Sequence, residues 1–383
     1  MIVTVICDIL GKPNNGTTIA ALHLIDALKK AGDEVRIVCP DDERKGEDSF
    51  YVLPRYNFGI FQPIVDHNGV GLAKPQASTL KEALDGVDEV HIMMPFPAGL
   101  KAVKIAHEMG IPVSAGFHVQ AENVTAHFFN FIRSKRVNRG VYKWMWRHFY
   151  QYVDRIHYPT AFIEGVFEKA IGKKTPGIVI SNGVSRDFKK LEVKRPSEWE
   201  NKFLIVMTGR YSKEKNQKLL IKAVSLSKHK EDIQLILAGS GPRLEELKKE
   251  AKKRGVDPCF KFYTHPELIE ALSMADLYVH ASRVEIEAIS CLEAIACGLT
   301  PLINNSPLSA TKTFALTDLN LFKEDSYKDL ANKMDYWIEH PVERKKNQEA
   351  YKTYVGQFDF DICMDKMVEM VHNTAKIKKD KKA

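Results

Sequence analysis

The chain has 383 residues, 44% of them apolar and 27% charged, with a net charge of +7. That length exceeds one ordinary core and points to two domains, and the balance excludes a disordered or fibrous chain. No apolar run reaches the ~18 residues that a spanning helix needs.

The opening run, Met1 to Cys7, is apolar but lacks a basic start and a small-residue cleavage site. It reads as a first buried parallel strand rather than a signal peptide. A Gly-containing loop and a helix over 18–30 follow, then strands at 35–38 and 90–93, a helix at 98–109, and a strand at 112–115 that ends at Gly116-Phe117-His118. A second series begins with a strand at 203–207. It continues with helix 217–226, strand 234–238, helix 242–254, strand 260–263, helix 268–274 and strand 277–280. The alternation predicts two doubly wound α/β domains with parallel sheets and right-handed crossovers. They cover residues 1–190 and 200–358, joined by a polar stretch, 192–202. Six cysteines without a C-x-x-C spacing fit a reducing cytoplasm and buried packing, not zinc or disulfides.

Several segments carry chemistry. Glu285 and Glu293 stand eight apart and bracket the start of a small-residue helix that ends at Gly298. With a helix beginning near Ala288, the two carboxylates flank its free N–H groups, so the segment can hold a molecule with hydroxyls at both ends and an anion between. A nucleotide-sugar has that shape. The loop from Gly209 to Asn216 follows a strand and places Arg210 and Lys215 five apart, a spacing suited to two phosphates. Taken alone it is also a solvated basic loop. Gly239 and Gly241 lie in a strand-to-helix turn, and Asn14-Asn15-Gly16-Thr17-Thr18 in another. Such turns let a ligand approach the backbone. His118 ends a strand, at the edge where α/β proteins bind ligands. Between Glu122 and Asp154 there is no acidic residue, while Arg133, Lys135, Arg136, Arg139, Lys143 and Arg147 alternate with Tyr142, Trp144, Trp146, Phe149 and Tyr150. That pattern predicts either a helix lying at an anionic membrane surface or a surface helix whose aromatics pack on the domain. Nucleic-acid binding is not expected, because no nucleic-acid module accompanies the patch.

The run from Glu285 to Gly298 resembles the E-x7-E segment of retaining GT-B glycosyltransferases of family 4. Glu287-Ala288 stand where that family usually has Phe-Gly. Gly209-Arg210 with Lys215 resembles its donor diphosphate site, and Ser181-Asn182-Gly183-Val184 also matches. The resemblance implies a GT-B fold with an acceptor-binding N-terminal domain and a C-terminal domain that binds the nucleotide-sugar. It implies that the last helix, 360–376, packs back on the first domain. Gly16, Gly209, Arg210, Lys215, Gly239, Gly241, Ala288, Ile289 and Glu293 would bind the donor, and Glu285 the sugar hydroxyls. His118 would sit beside the transferred sugar. No cofactor and no metal are implied, only a UDP-hexose donor. His91 to Pro97, Gly116 to Gln120, Ser306 to Ala310 and Tyr336 to Pro341 resemble the subgroup that makes monoglycosyl diacylglycerol. The resulting expectation is a hexosyltransferase acting on a lipid such as diacylglycerol or ceramide. It would lie on the inner face of the cell membrane, with Arg139, Lys143, Trp144, Trp146 and Arg147 in contact with the bilayer. A capsule or other glycan transferase with a soluble or polyprenyl-linked acceptor shares every donor feature, and a non-catalytic nucleotide-sugar-binding protein is the remaining alternative. A Rossmann dehydrogenase is disfavoured, because no G-x-G-x-x-G follows the first strand.

Overall fold

The computed structural model describes residues 1–10, 16–57, 72–122 and 134–377. Two compact units divide the chain: Met1–Asn182 with the segment from Cys363 onward, and Gly183–Ile362. Asn14, Asn15 and the start of the basic stretch, 131–133, lie outside the described residues.

The first unit holds strands β1 (Ile2–Ile6), β2 (Glu34–Cys39), β3 (Phe50–Val52), β4 (Glu89–Ile92), β5 (Val113–Gly116), β6 (Arg155–Tyr158) and β7 (Gly177–Val179). They form one parallel sheet in the order 3-2-1-4-5-6-7. In β1, Val3, Thr4, Val5 and Ile6 are all buried, so the strand is covered on both faces. Helices α1 (Gly16–Lys30), α2 (Ala77–Ala83), α3 (Pro97–Met109), α4 (Lys135–His148) and α5 (Ala161–Ile171) connect these strands. Pro97 opens α3, where its missing N–H costs nothing, and Gly110 at φ 69 closes it in the left-handed region.

The second unit repeats the plan. Strands β8 (Phe203–Thr208), β9 (Ile233–Ala238), β10 (Cys259–Lys261), β11 (Leu277–His280), β12 (Thr300–Asn304) and β13 (Leu321–Phe322) run parallel in the order 10-9-8-11-12-13. Its helices are α6 (Gln217–Val224), α7 (Leu244–Arg254), α8 (His265–Met274), α9 (Ile289–Ala296), α10 (Tyr327–Glu339) and α11 (Pro341–Val355). One apolar cluster covers each face of this sheet. Ile205, Leu220, Leu247, Met334 and Trp337 stand on one side, and Val206, Leu272, Tyr278, Leu292 and Tyr351 on the other. The final helix, α12 (Phe360–Ala375), begins in the second unit and buries Cys363, Met367, Met370 and Val371 in the first.

The segment just before β8 is tied to the second unit. Lys190 Nζ donates to the Ser273 carbonyl at 2.5 Å, and the Leu191 N–H to Ser273 Oγ at 3.0 Å. Arg195 donates to the Met274 carbonyl at 3.0 Å and pairs with Asp276 at 2.9 Å, while the other Asp276 oxygen accepts the Leu204 N–H at 2.9 Å. One half-buried carboxylate therefore joins this segment to the start of β8. Asp276→Ala strands both donors, and a lost hydrogen bond of this kind costs about 1–3 kcal/mol. Urea unfolding followed on the second unit should show that loss, and an unchanged midpoint would mean that the junction bears no load.

Candidate active site

Both sheets are parallel, so their strands deliver ligand-facing loops at the carboxyl edge. In the second unit, β8 gives way at Gly209, whose φ of 134 is open only to glycine. The loop that follows ends at Asn216, held at φ 60 before α6. Other parts of the unit fix its backbone. The Gly209 N–H donates to the Ala238 carbonyl at 2.9 Å, the Tyr211 N–H to the Ser240 carbonyl at 2.8 Å, and the Arg283 N–H to the Glu214 carbonyl at 2.8 Å. Gln217 Nε2 donates to the Arg210 carbonyl at 2.7 Å. Gly239 and Gly241 belong to this bracing. A Cβ on Gly239 would lie 2.1 Å from the Gly209 carbonyl oxygen, and one on Gly241 would lie 2.7 Å from backbone atoms of Tyr211. Their lack of side chains lets two loops pack backbone to backbone.

The loop carries Arg210, exposed, and Lys215, half-buried. Lys215 Nζ pairs with Glu285 Oε1 at 2.5 Å. The same oxygen lies 3.2 Å from His280 Nε2. Burial opposes ionisation of Glu285, but the Lys215 ammonium and the His280 contact outweigh it and hold the carboxyl down to about 2. His280 is buried, which lowers its proton affinity against the pull of Glu285. Behind it, Tyr278 OH lies 3.2 Å from His280 Nδ1 and 2.9 Å from Thr208 Oγ1. Helix α9 starts after Ala288 with no side-chain cap, and the Cys291 N–H turns back to the Ala288 carbonyl at 2.9 Å, so the N–H groups of Ile289 and Ser290 are the ones left without an intrahelical acceptor. Glu293 lies one turn inside that helix, and burial pushes its carboxyl up to about 7. Lys215 and Glu285, 70 residues apart in sequence, are thus in direct contact beside an open helix N-terminus. His280, Tyr278 and Thr208 were not expected. Their signal was positional: His280 closes β11 and Thr208 closes β8, both at the ligand-facing edge.

In the first unit, His118 follows β5 with its ring folded over Gly116, where a Cβ would lie 2.4 Å from Nε2. Burial, aided by His157 and His91, keeps His118 well below the usual histidine range, hence neutral. Its ring stands 5.6 Å from that of His157. Gly16 opens α1, and among the described residues nothing comes within 4 Å of a Cβ built there. At the end of β1, Asp8 accepts N–H bonds from Ala98 at 2.7 Å and Gly99 at 3.1 Å, capping α3.

Helix α4 divides its residues sharply. Tyr142 and Phe149 are buried in the domain, and Tyr142 OH donates to Glu122 Oε2 at 2.7 Å. Trp146 is half-buried, against Phe167 on one side and the Lys173 ammonium, 4.6 Å from its ring, on the other. The aromatic face that the sequence suggested for a membrane is therefore mainly the face that packs inward. The outer face keeps Arg136, Arg139, Lys143 and Arg147 exposed, together with Val137 at 41% and Trp144 at 47%. Arg139 also donates to the Ala170 carbonyl at 3.2 Å.

Two parallel α/β units, with a cation–carboxylate pair beside a helix N-terminus in the second, are the two Rossmann-like domains of a GT-B fold. Residues 14–188 match Glycosyltransferase Family 4 and residues 189–354 match Glycosyl transferases group 1. The chain is a glycosyltransferase built from these two family domains. The alpha-monoglucosyldiacylglycerol synthase of Streptococcus pneumoniae is 24% identical over 234 residues, 58% of this chain and 52% of that protein. The chain thus matches about half the length of that relative. The solved structure of Anabaena Alr3699/HepE in complex with UDP is 15% identical, covers 97% of this chain and 99% of its own, and has a TM-score of 0.71. The catalytic domain of a cholesterol-alpha-glucosyltransferase from Helicobacter pylori is 52% identical, over 40% of this chain and 96% of its own. Its TM-score is 0.39, too small an overlap to speak for the fold.

The Glu293 carboxyl gives a test of the site's electrostatics. Its folded pKa, about 7, lies above the unfolded value of 4.5. Its protonated form is favoured by folding, so this contribution is full below pH 4.5 and is lost as pH rises through 7. Glu293→Gln removes the titration. At pH 8 the variant should melt higher than the wild type, each kcal/mol giving roughly 2–4 °C for a unit of this size, and the gap should close below pH 4.5. A gap independent of pH would place the carboxyl in a water-like setting.

Proposed function

We propose that the protein transfers a hexose, glucose or galactose, from a UDP-linked donor to a membrane lipid such as diacylglycerol or ceramide, with retention of configuration. The outer face of α4 carries this reading. Arg136, Lys143 and Arg147 surround the exposed Trp144 there, with no acidic residue on the helix. Basic side chains around an interfacial tryptophan suit an anionic leaflet, each contributing about 1 kcal/mol near the surface. The name of the pneumococcal relative, a glucosyldiacylglycerol synthase, supports the same acceptor class. Among the described residues no helix is long and apolar enough to cross a membrane. The proposed setting is the inner face of the cell membrane, with α4 resting on the bilayer surface.

On the donor side, the leaving diphosphate needs positive charge in the transition state. Arg210, Lys215 and the N–H groups at the start of α9, Ala288 and Ile289, are assigned to supply it. Glu293 takes the ribose hydroxyls and Glu285 a sugar hydroxyl. Neutral His118 offers a hydrogen bond on the acceptor side without adding charge. The protein's contribution is positioning and charge stabilisation, and no metal is assigned a role.

Incubation with UDP-glucose, UDP-galactose and GDP-mannose over vesicles containing diacylglycerol, ceramide or a sterol, read by mass spectrometry, tests the whole reading. Sugar appearing only on soluble acceptors would overturn it. Arg210→Ala and Lys215→Ala should each lower kcat about 100- to 1,000-fold, the ~2.7–4 kcal/mol typical of a lost transition-state contact, and wild-type turnover should persist in EDTA. Lys143→Glu with Arg147→Glu should weaken co-sedimentation with anionic vesicles at low salt and leave neutral vesicles unaffected, since only the charge term is screened. Equal sedimentation of variant and wild type would reduce α4 to an ordinary surface helix.

A further inference from the structure

Among the described residues two side-chain donors reach Glu285, and both choose Oε1: Lys215 Nζ at 2.5 Å and His280 Nε2 at 3.2 Å. Oε2 takes neither. The two donors differ in freedom. Lys215 sits on a loop with its side chain 23% exposed, whereas the His280 side chain, at the end of β11, is 1% exposed. The hydrogen bonds behind His280 also fix its tautomer. An ionised carboxylate only accepts, so Nε2 carries the proton and Nδ1 of the neutral ring accepts. Its partner is Tyr278 OH, which then accepts from Thr208 Oγ1 at 2.9 Å. The bonds run one way, from β8 through β11 to Glu285.

The charge of Lys215 is what an incoming diphosphate would draw. Once the ammonium turns to phosphate, Glu285 keeps only one of its two donors. We propose that His280 is a positioning residue, which holds Glu285 ionised, with Oε2 directed to the donor sugar, while Lys215 is engaged by the diphosphate. This rests on the roles given above to Lys215 and Glu285.

Among the described residues the titratable groups around Glu285 are few. Lys215 faces it from the loop after β8, His280 from β11 and Cys291 from α9, while Glu293 on α9 faces Tyr278. Burial and then Glu285 push the Cys291 thiol well up, so it stays protonated. Glu293 contributes equally to the profiles of the wild type and the His280 variants. A difference between those profiles in acid therefore reports Glu285.

The test uses the full chain and the UDP-hexose selected by the product assay. His280→Phe removes the N–H, and His280→Gln restores an amide donor near Nε2. The Phe variant should lose about tenfold in kcat at pH 7 and move the acid limb of kcat upward by about one pH unit, a factor of ten in proton affinity. The Gln variant should recover both, and UDP alone should bind all three proteins within about twofold, since it lacks the sugar. A wild-type limb in His280→Phe, or a loss of rate without a shifted limb, overturns the proposal. If His280→Phe does not fold, Tyr278→Phe replaces it, with a smaller upward shift expected and an unmoved limb counting against. Glu285→Gln separates the two levels: full activity there sinks the assignment of Glu285 itself. An inactive Glu285→Gln beside a wild-type-like His280→Phe sinks only the role of His280.

Discussion

A carboxylate withdrawn from water must be compensated or it takes up a proton, and the second unit is arranged around one that is compensated twice. Glu285 lies in the loop between β11 and α9. Lys215 comes to it from the loop after β8 and His280 from the end of β11, so three segments converge on one oxygen. Glu285 is also held through its backbone, whose carbonyl accepts the Ala310 N–H at 2.9 Å. Among the described residues its neighbour Glu293 has no such compensation, and it is shifted in the opposite direction, to about 7 against about 2. Two acids eight residues apart thus hold different charges at neutral pH, through their surroundings alone.

The parallel sheet makes this convergence possible. Strands that all point one way bring their following loops to one edge, and β8, β9 and β11 each end there in residues that brace or charge the site. The Gly209–Asn216 loop would not hold this shape by its own sequence. It borrows acceptors from Ala238 and Ser240 and donors from Gln217 and Arg283.

Much of the architecture was legible because buried parallel strands read as apolar runs. The runs at 203–207, 234–238 and 277–280 became β8, β9 and β11 with shifts of one residue or none. Strands that broke this rule were missed. Phe50–Val52 is only half-buried and three residues long, Arg155–Tyr158 alternates polar with apolar, and Thr300–Asn304 contains a proline. In the site, spacing pointed to Arg210, Lys215, Glu285 and Glu293, since a loop after a strand and a helix start can be read locally. It could not show that Lys215 and Glu285 touch, or that His280 stands behind them, because those contacts depend on strand order. Nor could it tell which face of α4 points inward. Tyr142, Trp146 and Phe149 fitted either an outward stripe or an inward face until Glu122 and Phe167 gave Tyr142 and Trp146 their partners.

The chain crosses between the units twice, near Asn182 and again within α12. In topological terms the second unit is an insertion, contiguous in itself, inside a first unit whose α12 segment is synthesised after residues 183–362. The ribosome can release residues 183–362 as a complete folding unit while the first sheet still lacks the helix that carries Met367, Met370 and Val371. The unit begun first is therefore completed only after the second. During that interval its uncovered apolar surface is open to chaperones and proteases.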